Sequence, residues 1–331
     1  MRLVDKYDAL FLDLDGTVWE GGRPIAHAVE SITAAGLSTM YITNNASRAP
    51  QAVADMLRGM GLEATADQVM TSAQAAVDMA SKKVAAKSTP RALVLGTDSF
   101  CQLARAGGFT VVSSADDNPH VVLHGHSPDT GWAQLSEAAL AINNGAMYLA
   151  SNLDSTLPQE RGLMVGNGSM VAAVTHATGV KPQSAGKPEP AMFTAAKEKL
   201  AAQAPLAVGD RLNTDIVGGN RAGQPTLHVL TGVSGPLALL RAEPEERPTY
   251  IAADMRGLFQ QEAELLPGEH GGFSARIKGT ESAGTTVELN GGSAASTPLD
   301  ALLTVLAASP EPITQVQPAS DAARRCVEQW W

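Results

Sequence analysis

Two rhythms of apolar residues alternate along the first seventy positions. "ALFL" at 9–12 is an unbroken apolar run, the pattern of a strand buried on both faces of a parallel sheet. "IAHAVESITAAG" follows with Ile25, Val29 and Ile32 at helical spacing, and Gly36 is placed to stop the helix. "LSTMYITNN" predicts a second strand. Pro50 then opens a helix in which Val53, Leu57 and Met60 share a face and Gly61 closes it. Strand, helix, strand, helix implies a parallel α/β sheet. The rhythm returns late in the chain with "PLAVGD", a helix near 215–222, "PTLHVLTG" and "TYIAAD", which read as the remaining strands of that sheet.

A second α/β unit interrupts the first. "RALVLG", a helix over 98–106, "FTVV", "HVVLHG", a helix near 132–142, "AMYLA" and a helix near 169–178 predict an inserted domain over 74–182. The flanking segments, 1–73 and 183–267, then form one core. After "GEHGG", a linker by composition, "GFSARIKG" and "TTVELNG" alternate as paired strands do, with helices expected near 298–307 and 320–330. The stretch 268–331 is therefore expected to be a small α+β appendage.

Composition narrows the partners. The formal net charge of -10 argues against a nucleic-acid or anionic-membrane footprint, which needs a basic patch. No run of about 18 apolar residues predicts a membrane span, and "MRLVDKYDAL" lacks the apolar core of a signal peptide. Cys101 and Cys326, far apart in sequence, read as reduced thiols of a cytoplasmic protein.

Ligands of open parallel sheets bind just beyond the carboxyl ends of the strands. The core strands deliver Asp13 and Asp15 there, then Thr43, Asn44 and Asn45, and later Asp210 and Asp215, while "GKPEP" adds Lys187. Carboxylates with one lysine and several hydroxyl and amide groups suit a phosphate held against Mg²⁺, a hard cation that prefers oxygen ligands. Asp13 and Asp15, two apart on an extended chain, point the same way. One can attack phosphorus while the other exchanges a proton with the leaving oxygen and then with water. Gly16 allows a tight turn, and Thr17 is placed to cap the next element.

"DLDGTV", "TNN", "GKP" and "GDRLNTDI", in this order, resemble the four motifs of the haloacid dehalogenase superfamily of phosphatases. More narrowly they are similar to its NagD-like branch, whose members hydrolyse phosphoglycolate, glycerol 3-phosphate, pyridoxal phosphate or p-nitrophenyl phosphate. The resemblance covers about residues 5–260, and "NLDSTLP" and "GNGSMVAAV" resemble that branch's cap. It implies a Rossmann-like core with a mobile inserted cap and a preference for small phosphorylated metabolites. It implies Asp13 as nucleophile and Asp15 as general acid/base. Mg²⁺ is then bound by Asp13, the main-chain carbonyl of Asp15 and Asp210, with Asp215 behind them. Thr43, Asn44 and Asn45 hold the phosphate, and Lys187 orients phosphate and nucleophile. The tail resembles that of mycobacterial-type glycerol 3-phosphate phosphatases, a piece similar to part of a GNAT acetyltransferase; without a Gly-rich acetyl-CoA loop its role is structural or regulatory. Glycerol 3-phosphate is the preferred substrate on this reading. Phosphoglycolate, pyridoxal phosphate and nucleoside monophosphates are the alternatives, ahead of a phosphomutase or a phosphoaspartate switch. Homodimerisation through the cap occurs among relatives.

Three further motifs have plainer readings. His120, His124 and His126 share one strand face, but three ligands strung along a strand span too far to converge on one zinc ion. They are expected to be core or surface histidines; relatives usually carry an acidic residue where His126 stands. "GNGSMV" lacks the third glycine and acidic partner of a dinucleotide fingerprint, so its glycines shape a loop before a helix. Trp330 and Trp331 are expected to dock the last helix. The groups that read the alcohol of the substrate are expected near 124–132 and 152–164.

Overall fold

The computed structural model describes residues 1–159, 161–281 and 284–330, and its chain divides into two compact units. Trp331 lies outside the described residues.

The first unit comprises Met1–Thr39 and Leu200–Trp331. Its parallel strands run in the order Tyr250–Ala252, Thr226–Val229, Pro205–Gly209, Ala9–Leu12. Every residue of these four strands is buried. That burial is why Ala9–Leu12 reads as an unbroken apolar run; Thr226–Val229 buries Thr226 and His228 along with its apolar residues. The first helix is Ala28–Ala35, closed by Gly36 in the left-handed conformation (φ 63°). It starts later than the apolar spacing predicts. His27 takes a left-handed φ of 67°, and Ile25 is held by its amide to the Val18 carbonyl at 2.9 Å. Ile25 therefore belongs to the entry loop, and the buried face is Ala28, Ser31 and Ile32.

The tail is folded as its pattern predicts, with one addition. Strands Phe273–Glu281 and Gly284–Gly291 pair antiparallel, and a further strand, Ile313–Pro318, joins the second in parallel. Helix Pro298–Ala308 opens on a reciprocal cap: the Asp300 amide donates to Thr297 Oγ1 (3.1 Å) and the Thr297 amide to Asp300 Oδ2 (2.8 Å). Phe273, Val287, Leu289, Leu302, Leu306 and Trp330 of the tail share one apolar core with Leu212, Ile216, Leu239 and Ile251. The appendage and this part of the sheet are thus buried together.

The second unit is Met40–Lys199. Strand Ser38–Thr43, which crosses into it, pairs in parallel with Val69–Thr71. A five-stranded parallel sheet follows in the order Gln183–Ser184, Met147–Ala150, Val121–His124, Arg91–Leu95, Thr110–Val112. Helices Trp132–Asn143 and Asn167–Thr178 pack on it through Ala138, Ile142, Val171 and Val174. A hairpin, Thr156–Gln159 with Gly162–Val165, precedes the second of these helices. The fold is α/β throughout, with parallel sheets except for that hairpin, the tail pair and a two-residue ribbon at Trp19–Glu20.

Truncating a side chain in the shared tail core tests whether the tail contributes to this unit's stability. Leu302 is fully buried there, so Leu302→Ala is expected to cost about 2–5 kcal/mol in urea unfolding. A cost below about 0.5 kcal/mol would mean that the tail folds apart from the strands beneath it.

Candidate active site

Asp13 continues the first strand: its amide donates to the Val208 carbonyl at 3.0 Å. The chain then turns back on itself. The amides of Val18 and Trp19 converge on the Leu14 carbonyl at 2.9 and 3.0 Å, and Gly16 occupies the left-handed region at φ 96°. Asp15 is exposed and accepts from the Trp19 indole, Nε1 to Oδ1 at 2.9 Å. Thr17 caps nothing, because a turn into Trp19–Glu20 succeeds it and not a helix. Its buried hydroxyl makes no hydrogen bond among the described residues.

Asp210 ends strand Pro205–Gly209 and is 1% exposed. Its Oδ2 accepts from the Val233 amide at 2.6 Å, a short bond of the charge-assisted kind. Asp215 lies in a π-type turn, Leu212–Ile216, where its Oδ2 accepts from the Arg211 amide at 3.1 Å. Asp13, Asp210 and Asp215 each present a carboxylate oxygen, and these oxygens lie within 4.8 Å of one another. Carboxylates this close repel, and a hard divalent cation with oxygen ligands relieves that repulsion. The donor set fits Mg²⁺. Asp15 stands outside the cluster by its side chain; only its main-chain carbonyl was expected near a cation.

The other predicted residues lie in the second unit. Lys187 is 4% exposed, and its ammonium donates to the Ile42 carbonyl at 3.1 Å. The Asn44 side chain holds the main chain of Lys187 at both ends: Oδ1 accepts the Lys187 amide (2.8 Å), and Nδ2 donates to the Lys187 carbonyl (3.0 Å). Nδ2 also reaches the Asp154 carboxylate at 3.2 Å. The Asn44 carbonyl accepts from Ser72 Oγ (2.7 Å) and Asn152 Nδ2 (2.8 Å). Buried Thr43 accepts the Asn45 amide on Oγ1 at 3.1 Å, and Asn45 Oδ1 takes Ser47's amide and hydroxyl at 2.9 and 2.7 Å. Asn44 and Lys187 thus share one network with Ser72, Asn152 and Asp154, while Thr43 and Asn45 bond each other and Ser47 beside it. Ser72, Asn152 and Asp154 were missed as members. Their signal was the Asn-x-Asp of "NLDSTLP", where the Asp154 amide turns back to Asn152 Oδ1 at 3.2 Å.

Of the three histidines, His124 lies within strand Val121–His124 and His120 directly before it, while His126 follows the strand and is half-buried. His120 Nδ1 accepts the Arg91 amide at 3.0 Å, and fully buried His124 pairs through Nδ1 with the Tyr148 hydroxyl at 2.9 Å. Among the described residues no cluster of three metal-ligating side chains includes a histidine. "GNGSMV" forms the start of helix Asn167–Thr178, whose first residue holds the loop before it through Asn167 Nδ2 to the Asn152 carbonyl at 2.8 Å.

No described helix is long and apolar enough to cross a membrane. Haloacid dehalogenase-like hydrolase sequences match residues 10–110, and a second segment of the same hydrolase type matches 184–258. The chain is 44% identical over 277 residues to a D-glycerol 3-phosphate phosphatase of Mycobacterium tuberculosis, covering 84% of this chain and 78% of that one. It is 35% identical over 236 residues to an acid sugar phosphatase of Staphylococcus aureus, covering 70% and 89%. A glycerol phosphate phosphatase from Mycobacterium tuberculosis, crystallised with magnesium, superposes with a TM-score of 0.92 at 38% identity, over 100% of this chain and 98% of that one.

Burial pushes His124 down to about 4. A histidine that is neutral in the fold but protonates near 6.5 when unfolded takes up protons on unfolding between those values. Its stabilising effect is complete above pH 6.5 and is lost as pH falls toward 4, by up to about 3 kcal/mol. Urea unfolding at pH 7 and 4.5 should show that loss, reduced in His124→Asn. An equal loss in the variant would assign it to other groups.

Proposed function

The chain belongs to the haloacid dehalogenase-like hydrolases, and from that membership we propose that it is a Mg²⁺-dependent phosphatase of small phosphomonoesters, with glycerol 3-phosphate as substrate. The observation that carries the reading is the convergence of Asp13 and Asp210, just beyond two adjacent paired strands, with Asp215 of the turn that follows. The substrate rests on the likeness to D-glycerol 3-phosphate phosphatase, which extends over 84% of the chain. We read 1–73 and 183–267 as the catalytic core, 74–182 as the cap that shields it from water, and 268–331 as a structural tail. The two unpaired thiols, Cys101 and Cys326, suit residence in the cytoplasm.

The chemistry is built from the residues. An Asp13 carboxylate oxygen attacks phosphorus, forming an acyl phosphate as the bond to the alcohol oxygen breaks. Asp15 delivers a proton to that oxygen, so glycerol leaves neutral. A water molecule next gives its proton to Asp15 and attacks phosphorus, releasing phosphate and restoring Asp13. The indole bond from Trp19 fixes Asp15 in place while leaving its second oxygen to exchange protons. Lys187 supplies a cation for the phosphate oxygens, and Thr43, Asn44 and Asn45 the polar groups around it. Mg²⁺ held by Asp13, Asp210 and the Asp15 carbonyl, with Asp215 behind, would neutralise charge on the phosphoryl group. Asp15 also weighs against a phosphoaspartate switch, since an acid/base two residues from the nucleophile hastens loss of the acyl phosphate.

The test is phosphate release from a panel of phosphomonoesters, including both glycerol 3-phosphate enantiomers, with Mg²⁺ and with EDTA. The expected result is Mg²⁺-dependent release with a clear kcat/KM lead for glycerol 3-phosphate. Asp13→Asn should lower kcat at least about 10³-fold with the fold intact by circular dichroism. Substantial Mg²⁺-dependent turnover by that variant would remove Asp13 as nucleophile.

A further inference from the structure

The Asp210 carboxylate is confined on two sides by residues that carry no side chain. A Cβ on Gly16 would lie 2.4 Å from Asp210 Oδ2, and a Cβ on Gly232 would lie 2.0 Å from the same oxygen and 2.5 Å from Cγ. At Gly16 the positive φ of 96° already favours glycine. Gly232 has no such φ, so only the closeness of the carboxylate requires glycine there.

The loop that carries Gly232 is laced to both halves of the acidic cluster. Thr231 Oγ1 donates to the Gly16 carbonyl at 2.7 Å, tying the loop to the turn that presents Asp13 and Asp15. The Val233 amide donates to Asp210 Oδ2 (2.6 Å), and the Ser234 amide to the Asp210 carbonyl (3.1 Å). Ser234 Oγ accepts the Leu212 amide at 3.1 Å, at the start of the turn that holds Asp215. From beneath, fully buried His228 donates Nε2–H to the Ser234 carbonyl at 2.8 Å.

We propose that Thr231–Ser234 is the positioning element of the cation site and that Gly232 sets its affinity, by letting the loop press Asp210 against the turn at Gly16. This rests on the reading of Asp210 as a Mg²⁺ ligand. One carboxylate oxygen is spent on the Val233 amide, which fixes the rotation of the group and so the direction in which it faces Asp13 and Asp215. An added methyl at 232 must displace the carboxylate or the loop; either change lengthens the spacing on which a small, strictly octahedral cation depends. Thr231–Ser234 are positioning residues and take no part in bond making.

The experiment is calorimetric titration of substrate-free protein with Mg²⁺, with the melting temperature in EDTA measured alongside. Gly232→Ala is expected to weaken Mg²⁺ binding about 10–100-fold, as changes to groups that orient metal ligands do. Its melting temperature in EDTA should stay near that of the unmodified protein. Binding within threefold of the unmodified protein would overturn the proposal. If Gly232→Ala does not fold, Thr231→Val decides: weakened binding that Thr231→Ser restores supports the positioning role, and unchanged binding overturns it. Unmodified protein that binds no Mg²⁺ would instead overturn the metal assignment of the cluster, and this proposal with it.

Discussion

Three carboxylates held within 4.8 Å of one another repel, at an effective dielectric constant of 20 by something on the order of 3 kcal/mol per pair. Nothing in strand propensity or apolar burial compensates such a cost. The local structure does so in part, by aiming main-chain amides at the acids: Val233 at Asp210 and Arg211 at Asp215. Amide donors stabilise the charged forms while fixing where the oxygens point. The remainder of the repulsion is of the kind that a divalent cation with oxygen ligands relieves. Strand burial, turn geometry and the glycine contacts all serve to hold this unfavourable group in place.

The same logic governs the lysine of the second unit. A buried ammonium needs oxygen partners, and Lys187 finds one in the Ile42 carbonyl. Its main chain is held by a single amide side chain that imitates a strand neighbour, donating and accepting through Asn44. Asp154 on that same amide links the network to the loop before the hairpin. Residue type matters here more than charge: aspartate at 44 could accept the Lys187 amide but could not donate to its carbonyl.

Much of this was legible in the sequence because parallel strands leave a compositional mark. Ala9–Leu12 is an apolar run buried on both faces, and Asp13 and Asp210 stand directly beyond two such buried strands. What was not legible depended on single-residue conformations and on contacts distant in sequence. The late start of the first helix turns on the left-handed φ of His27, which a non-glycine residue adopts uncommonly. Helix Ser72–Lys83 was missed although Thr71-x-x-Gln74 carries the capping signature, each side chain bonded to the other's amide. Strand Ile313–Pro318 was missed because one face of "ITQVQP" is polar and its pairing partner lies more than twenty residues upstream. The role of "TGVSG" was hidden more thoroughly. Its contribution is made by amides and by absent side chains, which leave only glycines as a trace.

The tail shares its apolar core with the turn that carries Asp215. Leu212 and Ile216 bracket the turn that carries Asp215, and both lie in the apolar core that the tail's Phe273, Val287, Leu302 and Leu306 complete. The turn is a single π-type segment, a form frequent at functional sites. Its apolar side is packed while its acidic side carries Asp215. Among the described residues the tail lends no carboxylate to the acidic cluster; what it shares with the Asp215 turn is the core.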